Sequence, residues 1–359
     1  MKSGSFNGRS LFRTWSVLLL LAVSTACQKP KSEISIWLPL SGSYQASGEA
    51  YRHGFLQWQK AHPQSSLDWK IQDVDGLIQN FPILHELEDS TLVVGPWLLS
   101  PCQSLQAFCR NAALPFWGLG AYPNQSENFF PAAALWRPRL SSPVLLARKG
   151  RRDLGLLRAF TVSDLQSPES LANSQSFAAE FTALGGMVED ALYYRSGQRD
   201  FQEIVESVNR WRPGLVYIPG QARDVADLLE QAYPGWQGTW LLGQVDWLGP
   251  ELLEMPETAR PDGCQAWLTA PMVLQWNSGV KKAASSDPGQ VPVLPLERLA
   301  WEAAGMIAAA VASDSGPMEY LDRYHQASEA SGLKGDPPFF GEPKLLHLSC
   351  SSQGWKLRP

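Results

Sequence analysis

The sequence predicts an α/β protein of two lobes, each a parallel sheet flanked by helices. Three observations predict it. Short apolar runs alternate with amphipathic helical stretches, the alternation occurs as two separate series, and 359 residues suit two lobes of about 150 each.

The first series opens on ISIWLPLSGSYQASGEAYRHGF, residues 34–55. Ile34, Ile36, Trp37 and Leu38 fit a strand covered on both faces, and Pro39 halts it before the small turn Ser41, Gly42, Ser43. Ser47 stands in N-cap position for a helix starting near Gly48 and Glu49. A loop outside the carboxyl end of a parallel strand, followed by a helix N-terminus, is where open α/β sheets collect small polar ligands. The same string equally serves a plain βα connection. Further along, Leu67–Gln72, Thr91–Val94 and Pro115–Trp117 read as strands, with helices over Leu77–Leu87 and Ser104–Ala112. Asp73 and Asp75 lie in DVDG, which after a strand is a turn rather than a catalytic pair.

The second series begins near Asp153. DLGLLRAF reads as a strand, Pro168–Leu184 as a helix stopped by Gly185-Gly186, and Met187–Tyr194 as a strand. Helix over Phe201–Trp211, strand over Leu215–Ile218, helix over Ala222–Tyr233 and strands at Trp240–Leu242 and Cys264–Thr269 complete it. The basic run Lys149–Arg152 ahead of it reads as a solvated turn. Residues 276–295 are polar and loop-like; Leu296–Ala312 forms an Ala-rich helix that needs a sheet to cover, and its composition suits the first lobe. The tail ends in two short strand-like runs, Lys344–Leu348 and Trp355–Leu357.

Residues 1–26 stand apart from the fold. Lys2, Arg9 and Arg13 form a basic region, Trp15–Val23 a short apolar one, and Ser24-Thr25-Ala26 supplies small residues before Cys27. This is a secretory signal, and a cysteine directly after the small residues makes it resemble a bacterial lipoprotein signal, despite Ser24 where Leu is usual. The resemblance implies acyl chains, palmitate among them, on Cys27 and a tether over 27–32 that holds the protein at a bacterial membrane, facing the periplasm or exterior. Ordinary cleavage near Ala26 is the alternative. Export places Cys102, Cys109, Cys264 and Cys350 in an oxidising compartment, where they form two disulfides or remain four buried thiols. The lobes favour Cys102 with Cys109 and Cys264 with Cys350. Seven residues along one helix span roughly 10 Å, so the first pair requires Cys102 to precede its helix.

Composition excludes several classes. A formal net charge of -5 and the lack of an extended basic patch argue against a nucleic-acid partner. No Cys or His pair has metal-ligand spacing, and neither a nucleophile elbow nor a phosphate-binding or dinucleotide fingerprint occurs, so the reading is a non-enzyme with no cofactor. Fifteen tryptophans serve core packing before any stacking role.

Six strings occur in one order: PLSGSYQASGEAYRHGF at 39–55, VVGPWLLSPCQS at 93–104, LPFWGLGA at 114–121, FTALGGMVEDALYYRSGQRDFQEIV at 181–205, GLVYIPGQARDVADLLEQA at 214–232 and LLGQVDW at 241–247. Together they resemble the type I periplasmic binding proteins, especially the leucine/isoleucine/valine-binding branch. The resemblance implies two lobes joined by a three-stranded hinge, lobe I over 33–140 and 275–331 and lobe II over 141–274 and 332–359. It also implies closure on a small polar ligand, an amino acid among the candidates, for delivery to an ABC-type transporter permease. Carried over residue by residue, Ser100 offers a hydroxyl to the ligand carboxylate, while Gly120, Ala121 and Tyr122 form the next loop. Asp246 meets the ligand ammonium beside Trp247, Gln221 adds a polar contact, and Ser41, Ser43 and Tyr44 line the cleft wall. Two positions depart from the family: Tyr122 replaces a small hydroxyl residue, and Ser163-Asp164-Leu165-Gln166 stands where Asp-x-Tyr-Gly is usual. Those departures support the alternative of a ligand-independent lipoprotein that contacts a cell-wall enzyme, as penicillin-binding protein activators do.

Overall fold

The computed structural model describes residues 32–74, 87, 90–121, 134–136, 141–233, 235–255, 264–270, 295–313, 316–317, 319–320, 344–351 and 354–358. Its chain builds two sheets. The first has five strands: β1 (Ser32–Leu38), β2 (Leu67–Asp73), β3 (Leu92–Gly95), β4 (Phe116–Ala121) and β5 (Ala134–Trp136), in the order β2-β1-β3-β4-β5. All its pairings are parallel. Helices α1 (Gln45–Ala61) and α2 (Leu99–Asn111) follow β1 and β3.

The second half opens with α3 (Ser142–Arg148), extended by a wide helical turn over Lys149–Asp153. Strands β6 (Arg158–Asp164), β7 (Met187–Val188), β8 (Leu192–Tyr194), β9 (Leu215–Tyr217), β10 (Trp240–Gly243) and β11 (Gln265–Ala270) then alternate with α4 (Pro168–Ala183), α5 (Gln202–Trp211), α6 (Ala222–Ala232) and α7 (Pro250–Leu253). Helix α8 (Pro295–Val311) precedes a terminal hairpin of β12 (Lys344–Ser351) and β13 (Gly354–Arg358). The second sheet runs β13-β12-β11-β10-β9-β6-β7, with β8 also on β6; only the two pairings made by the hairpin are antiparallel.

The elements follow from the residues. β1 buries Ile34, Ser35, Ile36, Trp37 and Leu38 because helices cover both faces of a parallel sheet. α1 starts three residues earlier than the sequence predicts: a single 3-10 turn, Gly42–Tyr44, leads directly into Gln45, and Ser47 lies buried inside the helix. Tight packing explains the shift. A Cβ on Gly48 would stand 1.9 Å from the Pro39 carbonyl, so the helix crosses its own strand end at backbone contact. α8 packs on α1, where a Cβ on Gly54 would meet the Glu297 carbonyl at 2.2 Å. Ala300, Ala303, Ala304 and Ile307 form the buried face of α8. Asp73 ends β2 and accepts from the Leu40 N–H at 3.0 Å, pinning the turn between strand and helix.

Several expectations need correction. β6 begins at Arg158, not Asp153, because α3 and its wide turn run through the basic stretch. Lys149 there is not solvated: it is 16% exposed, pairs with Asp153 at 3.2 Å and lies 4.0 Å from the Trp267 ring centre. The strand expected over Met187–Tyr194 divides into β7 and β8. Cys102 does not precede its helix; it lies with Cys109 inside α2, so those two sulfurs belong to opposite ends of one rod and are not bridged. Cys264 and Cys350 meet on neighbouring antiparallel strands, with the Cys350 N–H donating to the Cys264 carbonyl at 3.0 Å. All four are buried thiols outside any disulfide, and burial pushes Cys109 and Cys264 up to about 12.

The leader 1–26, Cys27, residues 77–86 of the helix expected over Leu77–Leu87, and Tyr122 lie outside the described residues, as do 137–140, 271–294 and 321–343, which hold or adjoin the expected lobe boundaries. Among the described residues no helix is long and apolar enough to cross a membrane.

Gly48→Ala forces a side chain into the Pro39 carbonyl and should lower stability by about 1–3 kcal/mol, read as a lower Tm. Gly305→Ala meets, among the described residues, only Trp58 Nε1 at 3.6 Å, and should instead raise Tm through helix propensity. Alkylation of the denatured, unreduced protein should label both Cys102 and Cys109; a peptide pair joined through them would overturn the α2 assignment.

Candidate ligand-binding cleft

Parallel strands bring their carboxyl ends to one edge, and the two sheets turn those edges toward each other around a cavity of about 200 Å³. That is below the roughly 300–1,000 Å³ of pockets for drug-sized ligands. The first sheet and the helices packed with it contribute Tyr44 from the 3-10 turn, Tyr51 from α1, Trp97 and Leu98 from the turn after β3, Gly120 from β4 and Leu299 from α8, which packs on α1. From the second half come Ser167, Glu169 and Asn173 at the start of α4, Gly220 after β9, Gln244 and Asp246 after β10, and Thr269 in β11.

Local chemistry fixes each group. Ser167 caps α4, accepting the Ser170 N–H at 3.2 Å, and the Ser170 hydroxyl oxygen accepts the Asp164 N–H at 3.0 Å, tying the helix start to the end of β6. Asp164 in turn accepts the N–H groups of Gln166 and Ser196 and the Ser196 hydroxyl, so the β6 end is bound to the loop after β8. Across the cleft the Tyr44 hydroxyl stands 3.3 Å from Ser167 Oγ. Gln244 links the floor, donating to the Tyr217 hydroxyl at 2.9 Å and accepting from Asn173 Nδ2 at 3.3 Å. Tyr51 and Trp97 stack at 4.5 Å between ring centres and 15° between planes.

Asp246 sits on a short 3-10 turn, Val245–Leu248, in the middle of this ring. Burial pushes its carboxyl up to about 6, the charge of Glu169 adds to the rise, and its own backbone N–H and the Trp97 indole partly oppose it. A second buried carboxyl, Asp224 in α6, is also pushed up to about 6 by burial, against the Gly197 N–H that donates to it at 3.1 Å. Its other oxygen, the Tyr194 hydroxyl and Gln221 Nε2 have no hydrogen-bond partner among the described residues.

Of the sequence-predicted residues, Tyr44, Gly120 and Asp246 meet in the cleft. Trp247 does not: it is fully buried, its indole donates to the Ile218 carbonyl at 3.0 Å, and it packs where a Cβ on Gly243 would be, 2.4 Å away. The 3-10 turn rotates successive side chains by about a third of a circle, sending Asp246 to the cleft and Trp247 to the core. Gln221 lies behind the Pro219–Gly220 turn, buried at the α6 N-terminus and away from the lining. Ser41 is half-buried before the 3-10 turn and Ser43 lies within it; Ser100 falls in the first turn of α2 rather than in a loop, and Ala121 ends β4. Tyr51, Trp97, Ser167, Glu169 and Thr269 were missed. Trp97, Ser167 and Thr269 stand at or just beyond the ends of β3, β6 and β11, a placement that favours ligand contact, and Glu169 follows in the first turn of α4.

Both raised carboxyls carry a sign. Their charged forms are disfavoured in the folded state, so each contributes stability that is full below about pH 4 and lost as pH rises through about 6. Asp246→Asn should therefore raise the stability of the ligand-free protein at neutral pH by about 1–3 kcal/mol and flatten its Tm profile between those pH values.

No family model matches the chain, and no curated protein sequence does either. Solved structures do. A leucine-binding protein from Thermotoga maritima superposes with a TM-score of 0.70 at 16% identity, covering 91% of this chain and 98% of its own. A branched-chain amino acid transporter substrate-binding protein from Streptococcus pneumoniae, in complex with isoleucine, gives 0.68 at 13% identity over 91% and 99%. An ABC-transporter solute-binding protein from R. palustris, in complex with benzoate, gives 0.67 at 16% identity over 90% and 94%. At such identities the likeness concerns architecture, and there the expectation drawn from the six strings is borne out: the chain has the two-lobed fold of the type I periplasmic binding proteins.

Proposed function

We propose that the protein is an exported, lipid-anchored solute-binding protein that captures a small polar ligand between its lobes for an ABC-type transporter. The observation that carries this reading is the cleft itself: polar groups from both halves converge on one small cavity, and Tyr44 and Ser167 touch across it. The solute-binding structures that share the fold support it, and their ligands include isoleucine and benzoate. In this reading residues 33–140 and 275–331 form lobe I, residues 141–274 and 332–359 form lobe II, and the chain works as a binder rather than an enzyme. Asp246 faces the ligand's nitrogen, and an amino acid is one candidate. Lipid on Cys27 holds the protein at the cell envelope, so Cys27→Ser should release it from membranes and abolish incorporation of labelled palmitate.

A thermal-shift panel of amino acids, amines and aromatic acids tests the binding half. One ligand at a hundred times its Kd should stabilise the protein by about 2.7 kcal/mol, and Asp246→Ala should remove that gain. Silence across the panel, with a cell-wall enzyme co-purifying, would replace this reading with that of a protein-interaction module.

A further inference from the structure

We infer that oxidation joins Cys264 to Cys350 and leaves Cys102 and Cys109 as thiols, so that the protein carries one bridge where the sequence points to two or none. The four sulfurs are alike in burial and differ in placement. Cys264 stands directly before β11 and Cys350 lies in β12, and the antiparallel register that sets Gln265 opposite Ser349 sets these two opposite each other. The Cys350 N–H donates to the Cys264 carbonyl at 3.0 Å, which marks a hydrogen-bonded pair. Such pairs have Cα atoms about 5.5 Å apart, inside the range of roughly 4.4–6.8 Å that a disulfide spans. Closure therefore needs side-chain rotation rather than a shift of either strand.

Side chains directly opposed across two strands share one face of the sheet, so both sulfurs point to the same side. They enter one apolar core, and the Tyr233 phenol lies close enough to feel the charge of either. Cys102 and Cys109 fail the same test. Both lie within α2, and their separation along that single rod is a rise of roughly 10 Å, beyond disulfide reach.

The place of the bridge in the chain gives it a role. After β11 the chain supplies α8, which packs on α1, and it returns as β12 next to the strand it left. A bond between Cys264 and Cys350 joins the exit of that excursion to its return, so that residues 265–349 become a closed loop. Closing so long a loop removes much of the unfolded chain's freedom. The reaction is a thiol–disulfide exchange with an oxidised dithiol partner. One cysteine thiolate attacks the partner's disulfide and expels one of its sulfurs as a thiolate, and the second cysteine then displaces the other sulfur from the mixed disulfide. The two protons and two electrons lost by the cysteines end on the partner as its dithiol. Export, expected from residues 1–26, is the premise that brings the chain to such a partner. Burial pushes Cys264 up to about 12 and leaves little thiolate in the folded protein, so the bond forms while the chain folds and is shielded afterwards.

The test is peptide mapping by mass spectrometry in two arms, both on the full-length chain. In the first, protein recovered from the cell envelope is unfolded in iodoacetamide without reductant and digested. In the second, the reduced, unfolded protein refolds in mixed reduced and oxidised glutathione before the same treatment. The expected result in both is that the peptides of Cys264 and Cys350 are joined, at a mass two hydrogens below their sum, while Cys102 and Cys109 are alkylated. The refolded, bridged protein should melt about 5–15 °C above its reduced form. That difference should vanish in the double variant Cys264→Ala, Cys350→Ala and persist in Cys102→Ala, Cys109→Ala. Refolded protein with native circular dichroism but with Cys264 and Cys350 both alkylated, or either one joined to Cys102 or Cys109, would overturn the pairing. A bridge in the refolded arm alone would uphold the pairing and overturn export as the source of the oxidant.

Discussion

Parallel pairing is the constraint on which the rest of this molecule depends. Because β1, β3 and β4 run in one direction, their following turns emerge at one edge of the first sheet, and β6, β9 and β10 do the same for the second. The cleft is the space where those two edges meet, so residues far apart in sequence, such as Tyr44 and Ser167, come within 3.3 Å without any local signal to announce it. The same pairing requires helices on both faces, which is why β1 is buried at every position from Ile34 to Leu38 and why Gly48 and Gly54 are needed where α1 crosses its strand and meets α8.

Rigidity and reactivity are divided between neighbouring groups. Asp164 is saturated by backbone and hydroxyl donors and holds the β6 end to the loop after β8; it is a structural carboxylate. Asp246 is buried in the field of a second acid, Glu169, and its charged form is disfavoured. A frame built by satisfied polar groups can carry one destabilised group, and such a group is useful only where a ligand completes its surroundings. Trp247 shows the frame at work: its indole is spent on the Ile218 carbonyl, which fixes the turn that aims Asp246 at the cavity.

Much of the fold was legible in the chain. The buried runs at Ile34–Leu38 and Leu215–Ile218, the helices over Pro168–Ala183 and Pro295–Val311 and the turn residues between them each carry a local physical signal, period or punctuation, that survives without tertiary context. The errors lie where that signal is weak. The basic run after Arg148 has the polarity of a turn, yet Lys149 settles over the Trp267 ring, a contact supplied by a strand more than a hundred residues later. Cys102 and Cys109 gave no indication of whether their helix starts before or after the first of them, because Leu99–Ser104 lacks a strong cap.

By itself, then, the sequence determined the α/β class and the two series of elements, both from short-range pattern. Only the tertiary structure decided which side chains share the cavity. Tyr51, Trp97, Glu169 and Thr269 belong to four separate elements, and their convergence depends on the pairing and packing of whole sheets. The physical reason is that a strand's pattern records which face is buried, whereas the neighbour beyond that face is selected by long-range packing that no single segment encodes.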